Sequence, residues 1–258
     1  MSQFHGLMNP LLRCATFLLI LVSMSTSALS ESAASDRDEY AVTSEKWRKA
    51  ISGDDAEQLS AVLRAHAGSA LGKELPGTTA SNGKTALMVA AKSGDLALAE
   101  ALVREGSELD AVTATGGTAM MFAALGENTE VAQWLFLRGA AVDDVGSNGW
   151  TTMTIAAARG FSPMVSWLLS VEAVAAPVDV YGYTPLMRAV ENGHEDAASI
   201  LLDAGAERIN HQDEFGNTAL HHASRAGRED LVMLLVAAGA DGSITNRDGQ
   251  LALAVDTR

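Results

Sequence analysis

From Ser81 onward, small, apolar and polar positions recur on one schedule. A Gly is followed two residues later by Thr at Gly83/Thr85, Gly116/Thr118, Gly149/Thr151, Gly182/Thr184 and Gly216/Thr218, and Gly249 continues the series with Leu251 in the Thr slot. Successive turn glycines stand 33, 33, 33, 34 and 33 residues apart. Alanine follows at a fixed offset, as Ala90-Ala91, Ala123-Ala124, Ala156-Ala157, Ala189 and Ala223. A second Gly falls 11 residues after the first at Gly94, Gly160, Gly193 and Gly227. An i, i+3, i+4 apolar stripe then ends in paired aliphatics such as Leu201-Leu202 and Leu234-Leu235, and a third Gly closes the unit at Gly106, Gly139, Gly205 and Gly239. The pattern predicts a turn, a short helix, a left-handed break, a longer helix and a stop. Alanine on the first helix lets neighbouring helices approach closely. No unit of this size buries its apolar stripe alone, so the units must stack.

Two stretches carry a resemblance to a known family. Tyr183-Thr184-Pro185-Leu186, followed by Ala189 and Gly193-His194, is one. Gly216-Asn217-Thr218-Ala219-Leu220-His221, followed by Leu231-Val232 and Ala238-Gly239-Ala240-Asp241, is the other. Both resemble the ankyrin repeat motif. The resemblance implies an all-α solenoid of about six helix-turn-helix units joined by short hairpin-like turns. The units fall near 81–113, 114–146, 147–179, 180–213 and 214–246, with a degenerate first unit at 46–80 and a capping half-repeat at 247–258. Gly53-Asp54 marks the inter-helix break of the first unit, an extended loop is expected near His66–Ala80, and a single helix over Leu251–Thr257 closes the array.

Some positions depart from the motif. The Thr-x-x-His brace of the helix start survives only as Thr218 and His221; Met88, Met121, Thr154 and Met187 stand in the other His slots, so apolar packing is expected to replace the hydrogen-bonded brace. Glu127 occupies the inter-helix Gly position, with Gly126 or Asn128 expected to take the left-handed conformation. Ser170–Val178 lacks the closing Gly, and an irregular turn is expected there.

The N-terminal residues follow a different pattern. A leader with one positive charge, Arg13, precedes an uncharged apolar run at Cys14–Met24, and Ser25–Ser30 turns small and polar. This reads as a secretory signal over residues 1–30, cleaved after Ala28 or Ser30, with an uncleaved N-terminal membrane anchor as the alternative. Residues 31–45 read as a polar linker.

Composition narrows the partners. The chain has 18 Lys+Arg against 32 Asp+Glu, a net charge of −14. Such an acidic protein repels polyanions and anionic lipid surfaces, which excludes general nucleic-acid binding and stable membrane association once the signal is removed. The single cysteine, Cys14, lies in the signal, so disulfides, Cys-rich zinc sites and a cysteine nucleophile are excluded from the mature chain.

Candidate chemistry is thin. Gly77–Thr85 (GTTASNGKT) has five residues between its glycines where a phosphate-binding loop needs four. Asp144–Gly149 has Gly146 at the third position of a calcium loop and Ile155 at the twelfth. His194, His211, His221 and His222 lack the helical spacing of a metal set. No cofactor, metal or catalytic residue is assigned, and the chain is read as a non-enzyme. Trp134 and Trp167 share one slot on successive second helices and are expected to pack into the stack.

What remains is a recognition surface. The resemblance implies binding through the turn tips and the concave first-helix face. Aromatics collect at the tips of the third to fifth units: Trp150, Tyr181, Tyr183 and Phe215, with Arg159, Arg188 and Arg225 on the nearby first helices. These seven are the candidate protein-binding residues. The competing reading packs the aromatics between adjacent tips and leaves the arginines solvated. The expected function is a monomeric protein–protein interaction scaffold, periplasmic or secreted, with an inhibitor, immunity or virulence protein as the alternative.

Overall fold

The structure, a computed structural model, describes residues 37–205 and 208–253. The chain divides into two units between Lys46 and Trp47. Of the first, residues 37–46 are helical, where the sequence reads as a polar linker. The expected signal at 1–30 lies outside the described residues.

The second unit is a stack of helical hairpins. Residues 47–52 are helical (α1) and pair with α2 (Ala56–Ala65). The first helices of the following units are α4 (Ala86–Ser93), α6 (Ala119–Leu125), α8 (Thr152–Ala158), α10 (Pro185–Asn192) and α12 (Ala219–Arg225). Each is followed by its second helix: α5 (Leu96–Arg104), α7 (Thr129–Leu137), α9 (Ser162–Ser170), α11 (Glu195–Asp203) and α13 (Glu229–Ala237). Neighbouring first helices pack on each other, α4 on α6 most extensively. Ala86, Ala90, Ala91, Ala123, Ala124, Ala156, Ala157 and Ala189 are fully buried at these contacts and leave room for the approach. The core runs through the whole unit as one continuous cluster. Among the described residues there is no strand, only the isolated bridges Thr79–Thr85 and Thr245–Leu251.

The repeating Thr is the N-cap of α4, α6, α8, α10 and α12. Thr85, Thr118, Thr151, Thr184 and Thr218 accept from the backbone N–H three residues on, each contributing about 1 kcal/mol. The expected loss of the brace at Met-bearing units is corrected at two of them. The thioethers of Met88 and Met187 accept from the N–H of Thr85 and Thr184 at 3.4 and 3.5 Å. Sulfur is a weak acceptor, so the brace persists at reduced strength. In the fifth unit His221 Nδ1 accepts from the Thr218 N–H at 3.1 Å, which leaves Nε2–H to donate to the Gln250 carbonyl at 3.1 Å.

The break between helices also differs from expectation at one unit. Glu127 itself takes the left-handed conformation, with φ 62°. Gly126 is needed for a different reason: a Cβ there would lie 1.9 Å from the Lys92 carbonyl oxygen of the preceding unit. Close approach fixes glycine at 126, while the left-handed residue keeps the register it holds at Gly94, Gly160, Gly193 and Gly227 in the other units. Glu172 likewise holds φ 60° in the irregular turn at Ser170–Val178.

The expected extended loop at His66–Ala80 contains a short helix, α3 (Ala70–Glu74), and a 3-10 turn (Leu75–Gly77). Ser69 caps α3 by accepting from the Gly72 N–H, and Leu75 is driven into the core. At the C-terminal end, Ala252 is fully buried, and its carbonyl accepts from Ser224 Oγ at 2.7 Å. Leu251–Leu253 are not helical, and the rest of the helix expected over Leu251–Thr257 lies outside the described residues.

Candidate functional site

Successive turn tips are tied by one backbone hydrogen bond per step. Ala114, Ser147, Val180, Glu214 and Arg247 donate their N–H to the carbonyls of Asn82, Thr115, Asn148, Tyr181 and Phe215, at 2.8 to 3.1 Å. The tips therefore form a continuous edge along the array.

Each tip must also satisfy its own N–H groups. The residue three before the turn Gly does this where it carries a side-chain oxygen. Asp179 Oδ1 accepts from the Tyr181 and Tyr183 N–H groups at 3.0 and 2.9 Å. Asp213 Oδ1 accepts from Phe215 and Asn217, both at 2.8 Å, and Asn246 Oδ1 accepts from Asp248 and Gln250 at 3.1 and 2.9 Å. Thr113 Oγ1 accepts from Gly117 at 2.9 Å. Where that slot is Ala80 or Gly146, the residue before the Gly substitutes: Asn82 and Asn148 accept from Lys84 and Trp150, each at 3.1 Å.

Behind the fourth and fifth tips the side chains form a ladder that crosses unit boundaries. The Asp179 side chain is wholly buried, and Arg188 is 15% exposed. Arg188 donates from Nε and Nη2 to Asp179 Oδ2 at 3.1 and 2.5 Å, and from Nη1 to Glu191 at 3.2 Å. Its guanidinium lies 5.3 Å from the Trp150 ring centre and 4.0 Å from that of Tyr183. The Trp150 indole N–H donates to Asp179 Oδ2 at 3.2 Å. Tyr183 packs on His222, ring centres 5.0 Å apart.

His222 is buried and meets Asp213 Oδ2 through Nε2 at 2.9 Å, while Arg225 approaches Nδ1 at 2.9 Å. Arginine only donates, so Nδ1 carries the lone pair, Nε2 carries the proton, and the imidazole is neutral. Burial pushes the His222 pKa below its ordinary value, and the Arg225 charge adds to this against the opposing pull of Asp213.

The seven candidate residues thus separate. Trp150, Tyr183 and Arg188 are half-buried and pack on one another. Tyr181 and Phe215 stand out at the tips, 55% and 63% exposed. Arg159 is exposed and pairs with Glu127 at 3.2 Å. Arg225 is exposed and donates to His222. The arginines are therefore engaged with this chain's own acceptors, not simply solvated. Sequence reasoning missed Asp179, Asp213 and His222. Asp three residues before a turn Gly is an Asx-turn signal that could have found the first two. Trp134 and Trp167 sit on the second-helix face as expected: Trp134 is buried under Arg138, and Trp167 packs edge-on against Phe136 at 6.0 Å.

A second feature lies between the second and third tips. The tip slot that holds Lys84, Trp150 and Tyr183 elsewhere is Gly117 here, and the Asp slot is Gly146. Their missing side chains open a groove of about 460 Å³, walled by Met121, Phe122, Leu125, Trp150 and Ile155. Lys84 lies 6.0 Å from the Phe122 ring centre and is buried in a salt bridge with Asp54, which also binds Lys92 at 2.8 Å.

Among the described residues, no group of three or more His, Cys, Asp and Glu side chains is placed to hold a metal ion, and no helix is long and apolar enough to cross a membrane. A model of three ankyrin repeats matches residues 50–145 and 121–213, and a model of many ankyrin repeats matches 201–255. No curated protein matches the sequence.

Proposed function

The chain belongs to the ankyrin repeat family, whose members generally mediate protein–protein interaction, and on that premise we propose that it is a non-enzymatic scaffold that binds one partner protein in an exported compartment. The observation that carries this reading is the pair Tyr181 and Phe215. They extend from tips whose backbone is already satisfied by Asp179 and Asp213, and they are exposed without a packing role. Large exposed aromatics on a polar, acidic surface are interface anchors. In this reading the ladder behind them holds the tips rigid, so little entropy is lost when a partner docks.

The N-terminal charge–apolar–small pattern supports export, with residues 1–30 removed and a monomeric mature protein in the periplasm or outside the cell. The test has two parts. N-terminal sequencing of the exported protein is expected to begin beyond Ala28; a start at Met1 refutes export by cleavage. A partner captured from that compartment is then titrated against a Tyr181→Ser/Phe215→Ser variant. Both positions are exposed, so folding is unchanged and affinity is expected to fall at least about tenfold. Affinity equal to wild type would place the interface elsewhere.

A further inference from the structure

The hairpin of residues 112–118 has a depression on each side. Thr113, Thr115 and Gly117 face the apolar groove beside Trp150. Val112, Gly116 and Thr118 face a second, acidic notch, completed by Asp110, Asp144 and the exposed Val145. Asp143 adjoins Asp144 in the chain, and one of its oxygens accepts from the Val174 N–H at 3.0 Å.

The two depressions differ in charge. Among the described residues no charged side chain lines the apolar groove, and the cations that approach Phe122 and Trp150 are already matched: Lys84 by Asp54, Arg188 by Asp179 and Glu191. Among the described residues no cation lines the acidic notch. Burial, Asp110 and Asp143 together push the Asp144 carboxyl above its ordinary pKa, as unneutralised like charges do. The three aspartates are not placed to hold a metal ion.

We propose that this hairpin is straddled by a basic segment of the partner protein, with one large apolar side chain seated in the Gly117–Trp150 groove and an adjacent Lys or Arg reaching the Asp110–Asp143–Asp144 notch. The inference rests on the scaffold reading above but names a different part of the surface from Tyr181 and Phe215. The groove's size suits a Leu, Met, Phe or Trp side chain against Phe122 and Trp150. A carboxylate-bearing partner finds no free cation in either depression, and repulsion from the notch disfavours it. Val112 and Val145, both exposed, give the partner backbone an apolar rim to cross.

The test is selection of a phage-displayed library of random linear peptides on the immobilised protein, followed by titration of one enriched synthetic peptide. Enriched sequences are expected to pair a large apolar residue with Lys or Arg within a few positions. Gly117→Tyr places in the groove the side chain that the fourth tip already carries, at a backbone position outside the left-handed region. It is expected to weaken binding at least about tenfold. Asp110→Asn/Asp144→Asn is expected to cost about fivefold and to flatten the salt dependence. Thr115→Arg, on the exposed rim, leaves the core untouched and is expected to repel the same peptide, which keeps the test decisive if Gly117→Tyr disturbs folding. Three outcomes overturn the proposal: no enriched peptide, enriched peptides without basic residues, or wild-type affinity in Gly117→Tyr and Thr115→Arg. Binding that falls with Tyr181→Ser/Phe215→Ser and not with these variants overturns this site and leaves the scaffold reading standing.

Discussion

Replacing Asp179 by Ala removes one carboxylate that serves four partners. Oδ1 holds the N–H groups of Tyr181 and Tyr183; Oδ2 holds the Trp150 indole and the Arg188 guanidinium. Breaking a buried ion pair costs about 3–5 kcal/mol. Here Arg188 is 15% exposed and keeps Glu191, so the lower end applies to the charge. Each orphaned N–H adds roughly 1 kcal/mol, offset by water reaching the tip. The expected total for Asp179→Ala is about 4 kcal/mol.

Asp179→Asn separates the two halves. Its amide oxygen still accepts from the tip, but its NH₂ then faces the guanidinium and the indole, donor against donor. About 2 kcal/mol is expected, all from the Oδ2 side. Arg188→Met in the Asp179→Asn background removes the guanidinium part of that clash, so the double variant is expected to be at least about 1 kcal/mol more stable than the sum of the singles. Urea unfolding followed by far-ultraviolet circular dichroism reads the totals. Amide hydrogen exchange at Tyr181 and Tyr183 is expected to quicken in Ala and stay slow in Asn. Equal costs for Ala and Asn, or additive behaviour of the pair, would refute this division of labour.

Three shorter expectations follow from other parts of the molecule. His222 has its folded pKa depressed below 6.5 by burial first and Arg225 second, so its contribution to stability is complete above pH 6.5 and is lost as pH falls through the depressed value; His222→Gln is expected to flatten the pH dependence of unfolding below pH 6.5, and an unchanged slope counts against the neutral tautomer. Gly126→Ala is expected to cost at least about 2 kcal/mol because of the Lys92 carbonyl, whereas Glu127→Gly, relieving φ 62° at the loss of an exposed ion pair, is expected to stabilise by roughly 0.5–1 kcal/mol; thermal unfolding distinguishes the signs. Deleting residues 246–258 removes the acceptors of His221 and Ser224 and is expected to lower the unfolding midpoint, an unchanged midpoint meaning that Gln250 and Ala252 do not act as a cap.

The repeat spacing, the N-cap threonines and the buried alanines were readable from sequence because each is a local rule applied five times. What escaped was relational. Gly126 is required only because the Lys92 carbonyl of another unit stands against it, and Glu127 keeps the left-handed slot without a glycine. The short helix α3 depends on a Ser69 cap and a buried Leu75, outside the repeat period. At the surface, sequence identified the tip aromatics but not which way they turn. Trp150 and Tyr183 fold back because Arg188 and Asp179 offer a partner; Tyr181 and Phe215 have none and stay out. The groove was invisible because it is made by what Gly117 and Gly146 lack, which shows only against the side chains of the neighbouring units.

The ladder has a bearing on how this array gains or loses length. Asp179 reaches Arg188, and Asp213 reaches His222, in both cases nine residues on. Two successive units therefore present a carboxylate to the next in the same register. Excising residues 180–213 as a block would join Asp179 to Glu214 and bring His222 to the place Arg188 had held, beneath Trp150. The buried carboxylate would exchange one nitrogen partner for another and never stand alone. A partial deletion between Asp179 and Arg188 would move the partner out of reach and strand a charge in the core. At these two boundaries whole-repeat duplication and loss are thus length changes that the buried electrostatics permit, and unequal crossing-over between repeats generates changes of that kind.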